Sequence, residues 1–174
     1  MSPWTAARIA LIVFFVAIMQ VSAFSTIAIG GAGPNVLLVT LVSVALLRGS
    51  ITGAVAGFLA GLVVDVTTLG TLGITSLLLT LAGYWAGRYG ETTGRGRPHA
   101  PLVATVAATV FVEVGGFTLD SLLGGAVDMQ SVVLTLPAAV IWNALLAYPV
   151  FGLVRRLVGS TERVERGREV ELLV

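Results

Sequence analysis

Six long apolar runs, separated by short polar or glycine-rich breaks, account for most of this chain. Of its 174 residues, 56% are hydrophobic and 11% are charged, whereas a soluble domain needs far more polar surface to cover its core. Such runs are typical of membrane helices, because a helix satisfies its own backbone hydrogen bonds in lipid. The pattern therefore predicts one all-α integral membrane domain with six transmembrane helices.

The predicted helices are bounded by glycine, proline or charged residues. They cover about residues 6–27, 34–47, 51–65, 73–88, 101–119 and 132–154 of a membrane domain over residues 1–159, followed by a charged cytoplasmic tail over residues 160–174. The second helix is only about 21 Å long, short for a bilayer core of about 30 Å.

The first run also has the features of a cleaved signal peptide, namely Arg8, then an apolar stretch and then Val21-Ser22-Ala23. A retained first helix and a cleaved signal peptide therefore both stay open.

The charges predict how the chain is oriented in the membrane. All ten basic residues are Arg, and six helices would place every one of them on the same side as both termini. The loops on the other side contain the acids Asp65, Asp120 and Asp128 and no basic residue. Since cytoplasmic loops of membrane proteins are rich in Arg and Lys, we expect both termini in the cytoplasm.

A stripe of glycines is the most conspicuous local pattern. Gly53, Gly57 and Gly61 recur at a spacing of four, so they share one face of the third helix, and Asp65 follows in the same register. Gly83 and Gly87 form a similar pair in the fourth helix. Small residues let membrane helices approach closely, which fits either packing within the chain or an interface with a partner's helix. A homodimer through a glycine face is also compatible with the pattern.

Glu113 is the polar residue that most needs an explanation. It lies about 18 Å along the fifth helix from Pro101, near the middle of the bilayer, where a carboxylate usually faces the protein interior or water. One hypothesis makes it a proton or ligand site. The other makes it a buried polar contact that holds the fifth helix to a neighbour, with Asn143 of the sixth helix as the candidate partner.

Several kinds of chemistry are excluded or disfavoured by the residues present. The chain has no cysteine and one histidine, His99, so we expect no metal site and no cofactor. No arrangement of nucleophile, base and orienting residue is visible, which predicts a protein that is not an enzyme. The Arg residues are dispersed and mixed with Glu, a pattern that suits anionic lipid headgroups better than nucleic acid.

The middle of the chain, about residues 34–88, contains a set of short motifs in a fixed order. These are Pro34-Asn35, Leu46-Leu47-Arg48-Gly49, Gly57-Phe58, Gly61-Leu62, Asp65, Leu72-Gly73, Gly83-Tyr84 and Gly87. In these motifs the chain resembles the bacterial rod shape-determining protein MreD family. The length and the predicted helix count are also similar to those of the family.

The resemblance implies a non-enzymatic role in the bacterial cytoplasmic membrane. Members of the family belong to the cell-elongation machinery, which directs lateral peptidoglycan synthesis. They bind MreC, a protein with one membrane helix and an extracytoplasmic domain. They act alongside the MreB filament, the RodA glycosyltransferase and its penicillin-binding transpeptidase. The helix arrangement is also similar to the S-component fold of energy-coupling-factor vitamin transporters.

Two functions follow as expectations. The first is a scaffold that holds a partner's membrane helix, indicated by the glycine stripes and by the lack of a catalytic set. The second is the substrate-binding component of a vitamin transporter, indicated by the similar helix plan, Glu113 and the pair Ala6 and Ala10, which would dock a transporter subunit. Few polar residues are predicted at depth to line a ligand pocket, which favours the scaffold.

Overall fold

The computed structural model describes residues 3–22, 33–68, 71–93, 98–124 and 129–159, and these form six helices. Their bounds are α1 Pro3–Ser22, α2 Val36–Arg48, α3 Ser50–Thr68, α4 Ile74–Thr93, α5 Ala100–Leu122 and α6 Met129–Val158. The predicted all-helical fold with six helices is confirmed, and no strand occurs in the described ranges. The end of the predicted first helix, residues 23–27, and the tail over residues 160–174 lie outside the described residues.

Within the described ranges, three helices are long and apolar enough to cross a membrane, Ser50–Thr68, Ala100–Leu122 and Val132–Val158. Ala6–Ser22 and Val36–Arg48 are shorter apolar helices. In this helical bundle, large apolar side chains such as Leu11, Ile51 and Leu145 are exposed to 67% or more. Exposed apolar side chains on this scale suit a lipid environment, and the chain is an integral membrane protein.

α2 is the central helix of the bundle. It contacts each of the other five helices, and every residue from Leu37 to Leu47 is buried. Asn35 caps its N-terminus by accepting a hydrogen bond from the Leu38 N–H at 3.0 Å. Gly49 ends the helix with φ 95°, a left-handed conformation that glycine adopts without strain, and α3 begins at the next residue.

The other helices surround α2 and differ in how much of their surface is buried. α3 and α4 form an antiparallel hairpin with the most extensive contact in the bundle. α1 buries a narrow stripe at a spacing of four, namely Ile9, Val13 and Ala17, and leaves most of its surface exposed. We call the end of the bundle with Arg48, Arg88, Arg155 and Arg156 the basic end, and the opposite end, with Asp65 and Asp120, the acidic end.

Candidate functional site

The glycine stripe of α3 lies directly against the backbone of α4. A Cβ atom added at Gly53, Gly57 or Gly61 would overlap backbone atoms of Gly83, Leu79 and Ser76, in that order. Backbone atoms in a helix cannot rotate away as a side chain can, so any larger residue forces the two helices apart. The predicted α4 glycines complete the contact, since Gly83 meets Gly53 and Gly87 meets Gly49 and Ser50.

Asp65 closes the acidic end of this hairpin. Its carboxylate accepts hydrogen bonds from the backbone N–H groups of Gly73 at 2.9 Å, Thr75 at 3.2 Å and Ser76 at 3.2 Å, and from the Ser76 hydroxyl at 3.0 Å. These N–H groups lie at the start of α4. Backbone N–H groups at this position have no acceptor within their own helix. The side chain that follows the glycine stripe in α3 is therefore the N-terminal cap of α4.

Glu91 makes the matching contact at the basic end. It lies in the last turn of α4 and accepts hydrogen bonds from the Ser50 N–H at 2.8 Å and the Ser50 hydroxyl at 3.1 Å, at the first turn of α3. Arg88 lies 3.5 Å from the same carboxylate. Sequence reasoning missed Glu91, because its role depends on how α4 is aligned with α3. Each helix of the hairpin is thus capped by an acid from the other.

The packing of α3 against α4 leaves the glycine faces of both helices covered. The face of α3 that carries the stripe is occupied by α4 of the same chain, and so is the α4 glycine pair. A partner's helix, or a second copy of the chain, would have to displace α4 to reach these glycines. In this structure the glycine faces are contacts within the chain.

A buried polar cluster joins four helices at the N-terminus of α2. Asn143 of α6 is 1% exposed; its Nδ2 donates to the Thr109 hydroxyl at 3.0 Å, and its Oδ1 accepts from the Asn35 N–H at 2.9 Å. Gln20 of α1 accepts from the Val36 N–H at 2.8 Å and donates to the Pro34 carbonyl at 3.1 Å. Within the membrane these contacts replace the water that would otherwise satisfy the start of α2.

The two residues considered as a buried polar pair are placed differently. Asn143 has Thr109 and Asn35 as its partners, as described above. Glu113 lies one helical turn beyond Thr109 toward the acidic end and is partly buried. Among the described residues, it has no hydrogen bond or ion pair.

An apolar groove of about 850 Å³ lies along the junction of α1 and α3. It runs beside Ala6, Ala10 and Phe14 of α1 and beside α3 from Ile51 to Val63, with Ala56 and Ala60 among its lining residues. Its length along α3 is about 18 Å. The groove combines small residues from two helices with access to the surrounding lipid.

The basic end gathers the described Arg residues. Arg48 donates a hydrogen bond to the Val158 carbonyl and so joins the end of α2 to the end of α6. The side chain of Arg88 is 57% exposed, and Arg155 and Arg156 are also exposed. The Arg residues at 95, 97, 163, 166 and 168 lie outside the described ranges. Exposed guanidinium groups at one end of a membrane bundle are suited to anionic headgroups.

Within the described residues, no group of three or more His, Asp or Glu side chains could hold a metal ion. His99 lies at the start of α5, where its side chain makes no capping hydrogen bond.

Comparison with known proteins identifies a family. A family model described as rod shape-determining protein MreD matches residues 4–159 of the chain. This match extends over all six helices, well beyond the 34–88 segment whose motifs suggested the family. No curated protein and no solved structure matches the chain. The similarity to transporter S components therefore has no support from a matching structure.

Proposed function

The chain belongs to the rod shape-determining protein MreD family, and from this membership we propose that it is a non-enzymatic membrane scaffold of the bacterial cell-elongation machinery. The family match over residues 4–159 is the observation that carries the proposal. It assigns the protein to rod shape determination. The finer role is to hold a partner's membrane helix and so help to organise lateral peptidoglycan synthesis.

The proposed partner is MreC, through its single membrane helix. Because α4 occupies the glycine stripe, the groove between α1 and α3 is the candidate surface for that helix. An α-helix with side chains is about 10–12 Å across, so an 18 Å length occupies roughly 1,400–2,000 Å³. The groove has a volume of about 850 Å³, which is about half of the volume of such a helix segment. Ala6, Ala10, Ala56 and Ala60 would allow the backbones to approach closely.

The proposed orientation places the basic end in the cytoplasm, in the bacterial cytoplasmic membrane. The Arg residues that the structure describes lie in the halves of their helices toward that end, which supports it. The basic end would then face anionic lipids and the cytoplasmic MreB filament. The acidic end would face the extracytoplasmic domain of MreC. RodA and its penicillin-binding transpeptidase are further proposed members of the same assembly.

Affinity purification of the tagged, full-length protein from its own membranes in mild detergent tests the proposal. Mass spectrometry should find a near-stoichiometric protein with one membrane helix and an extracytoplasmic domain. An unrelated six-helix membrane protein with the same tag is the control for nonspecific capture. Transporter subunits, or a vitamin bound at about one per chain, would overturn the scaffold and make Glu113 the first residue to test as a ligand contact.

A further inference from the structure

We propose that a cavity between α4 and α5 binds one acyl chain of an anionic phospholipid whose phosphate group lies at Arg88. The cavity, which we call the α4–α5 pocket, has a volume of about 300 Å³. This lipid site does not depend on which protein partner the chain binds. Three features support it, namely the apolar lining of the pocket, its width and the guanidinium group at its basic end.

The floor of the α4–α5 pocket is made of alanines from both helices. Ala82 and Ala86 of α4 and Ala104 and Ala108 of α5 line it, and each is 6% exposed or less. Their small side chains leave open the space that longer side chains would fill. All the other lining residues are alanine, valine or aromatic, so the pocket is suited to hydrocarbon.

Aromatic side chains border the pocket, and one side of it is open. The rings of Trp85 and Phe111 have their centroids 5.2 Å apart, and Phe111 is the lining residue of α5 farthest from the basic end. Trp85 is 57% exposed and Val103 is 47% exposed. The pocket therefore opens at the surface of the bundle, where a membrane lipid can enter from the side.

The width of the pocket decides between a helix and a lipid chain. From Val103 to Phe111 the pocket follows α5 for about 12 Å. A volume of about 300 Å³ over this length gives a mean cross-section of about 25 Å², hence a width of about 5–6 Å. An α-helix with side chains is about 10–12 Å across and would need roughly 900–1,400 Å³ over the same length. The pocket is too narrow for a helix and fits a single hydrocarbon chain.

Arg88 supplies a positive charge at the basic end of the pocket. It follows Trp85 by three residues in α4, so the two side chains are neighbours on the helix surface. Among the described residues, its guanidinium group makes one polar contact, with the Glu91 carboxylate at 3.5 Å. Glu91 also accepts hydrogen bonds from Ser50 of α3. A guanidinium group has five N–H donors, so Arg88 retains donors for the oxygens of a phosphate group.

The depth of Arg88 is suited to a lipid headgroup. Tyr84, Trp85 and Tyr89 surround it in the sequence, and such residues are enriched where a membrane meets water. A lipid with its phosphate at Arg88 would extend an acyl chain along the pocket toward Phe111 and the middle of the membrane. Since lipid chains are as apolar as the pocket, its lining alone does not select one lipid from another. The preference for an anionic lipid comes from Arg88.

The fluorescence of Trp85 tests the proposal, because its ring lines the pocket. The chain has three tryptophans, and Trp4→Phe with Trp142→Phe leaves Trp85 as the reporter. The purified full-length protein in mild detergent is titrated with phosphatidylglycerol brominated in its acyl chains, since bromine quenches a tryptophan that it contacts. The control reporter is Leu153→Trp in a chain whose own tryptophans are all phenylalanine. Leu153 is also 57% exposed and lies two residues before Arg155, outside the pocket.

We expect the quenching of Trp85 to saturate at about one lipid per chain, whereas quenching at the control position rises without saturation. Half-maximal quenching of Trp85 should need about fivefold more lipid in Arg88→Gln, or when brominated phosphatidylcholine replaces phosphatidylglycerol, which is the effect of about one Arg near an anionic headgroup. Arg155→Gln should leave the titration unchanged. Quenching of Trp85 without saturation would overturn the proposal, and an unchanged titration in Arg88→Gln would overturn the assignment of the headgroup.

A bulky residue in the pocket tests the position of the acyl chain. Ala107 lines the pocket and is exposed, so Ala107→Phe can place a ring there without entering the packed floor. We expect this variant to lose the saturable quenching of Trp85. Saturable quenching that persisted in Ala107→Phe would show that the acyl chain lies elsewhere and would overturn the proposal.

Native mass spectrometry of the unaltered chain guards against a folding defect in the tryptophan variants. The protein is purified in mild detergent and mixed with equal amounts of phosphatidylglycerol and phosphatidylcholine. We expect one retained phospholipid per chain, with phosphatidylglycerol favoured about fivefold. Retention of no phospholipid, or of both lipids equally, would overturn the proposal.

Discussion

Replacing Gly57 with alanine should lower the stability of the protein, because the new methyl group has no space. A Cβ at this position would overlap the carbonyl group of Leu79 in α4, and a helical carbonyl cannot turn aside. Overpacking of this kind costs about 1–3 kcal/mol. Alanine favours a helix over glycine by up to about 1 kcal/mol, which offsets part of that loss. We expect a net loss of about 1 kcal/mol in the free energy of unfolding.

Gly152→Ala is the matched control for this change. Gly152 lies within α6, is exposed, and an added Cβ would meet no atom within 4 Å. Only helix propensity acts there, so stability should stay the same or rise by up to about 1 kcal/mol. Titration with sodium dodecyl sulfate in mixed micelles, followed by the fluorescence of the three tryptophans, measures both variants.

The same experiment separates the two roles considered for the glycine stripe. If the stripe bound a partner, Gly57→Ala would reduce co-purification of that partner and leave the isolated protein as stable as before. If the stripe packs against α4, the isolated protein itself becomes less stable. Equal stability of Gly57→Ala and Gly152→Ala would refute the close backbone contact between α3 and α4.

Two further changes probe the polar contacts that hold the helices in place. Asp65→Ala removes the acceptor of three backbone N–H groups of α4 and should cost about 2–4 kcal/mol in the same titration, whereas Asp120→Ala at the same end should cost less than about 1 kcal/mol. Asn143→Ala leaves the Asn35 N–H without its acceptor inside the bundle and should cost about 1–3 kcal/mol, whereas truncation of the 67% exposed Leu145 to alanine should have little effect. A loss at Asp65 or Asn143 no larger than in its control would show that the contact is not needed for stability.

The sequence predicted where the helices lie better than it predicted which helices pack against each other. Apolar runs and punctuating glycine, proline and Arg residues indicate where helices begin and end, because the membrane requires each spanning segment to satisfy its own backbone. The spacing of Gly53, Gly57 and Gly61 indicated close approach of another helix. It did not indicate which helix, since a glycine face accepts α4 or a foreign helix on the same physical terms.

The vertical register of the helices was the part that the sequence did not reveal. One of the two hypotheses for Glu113 made Asn143 its candidate partner. In the structure, Asn143 is level with Thr109 and with the start of α2. A shift of one helical turn, about 5.4 Å, changes every polar partner, and apolar runs alone do not determine it. Glu91 was missed for the same reason, because its role depends on the end of α4 meeting the start of α3.

Photo-crosslinking in living cells tests the proposed scaffold most directly. A photoreactive amino acid replaces Ala10, which lines the groove between α1 and α3, or Leu145, an exposed residue of α6 outside it. The proposal predicts that the Ala10 position crosslinks to a protein with one membrane helix and an extracytoplasmic domain and that the Leu145 position does not. Crosslinks to such a partner from Leu145 and none from Ala10 would contradict the proposal that the groove binds the partner. If neither position crosslinked to such a partner and the purified protein did not retain one, the proposal that the protein is a scaffold would be contradicted.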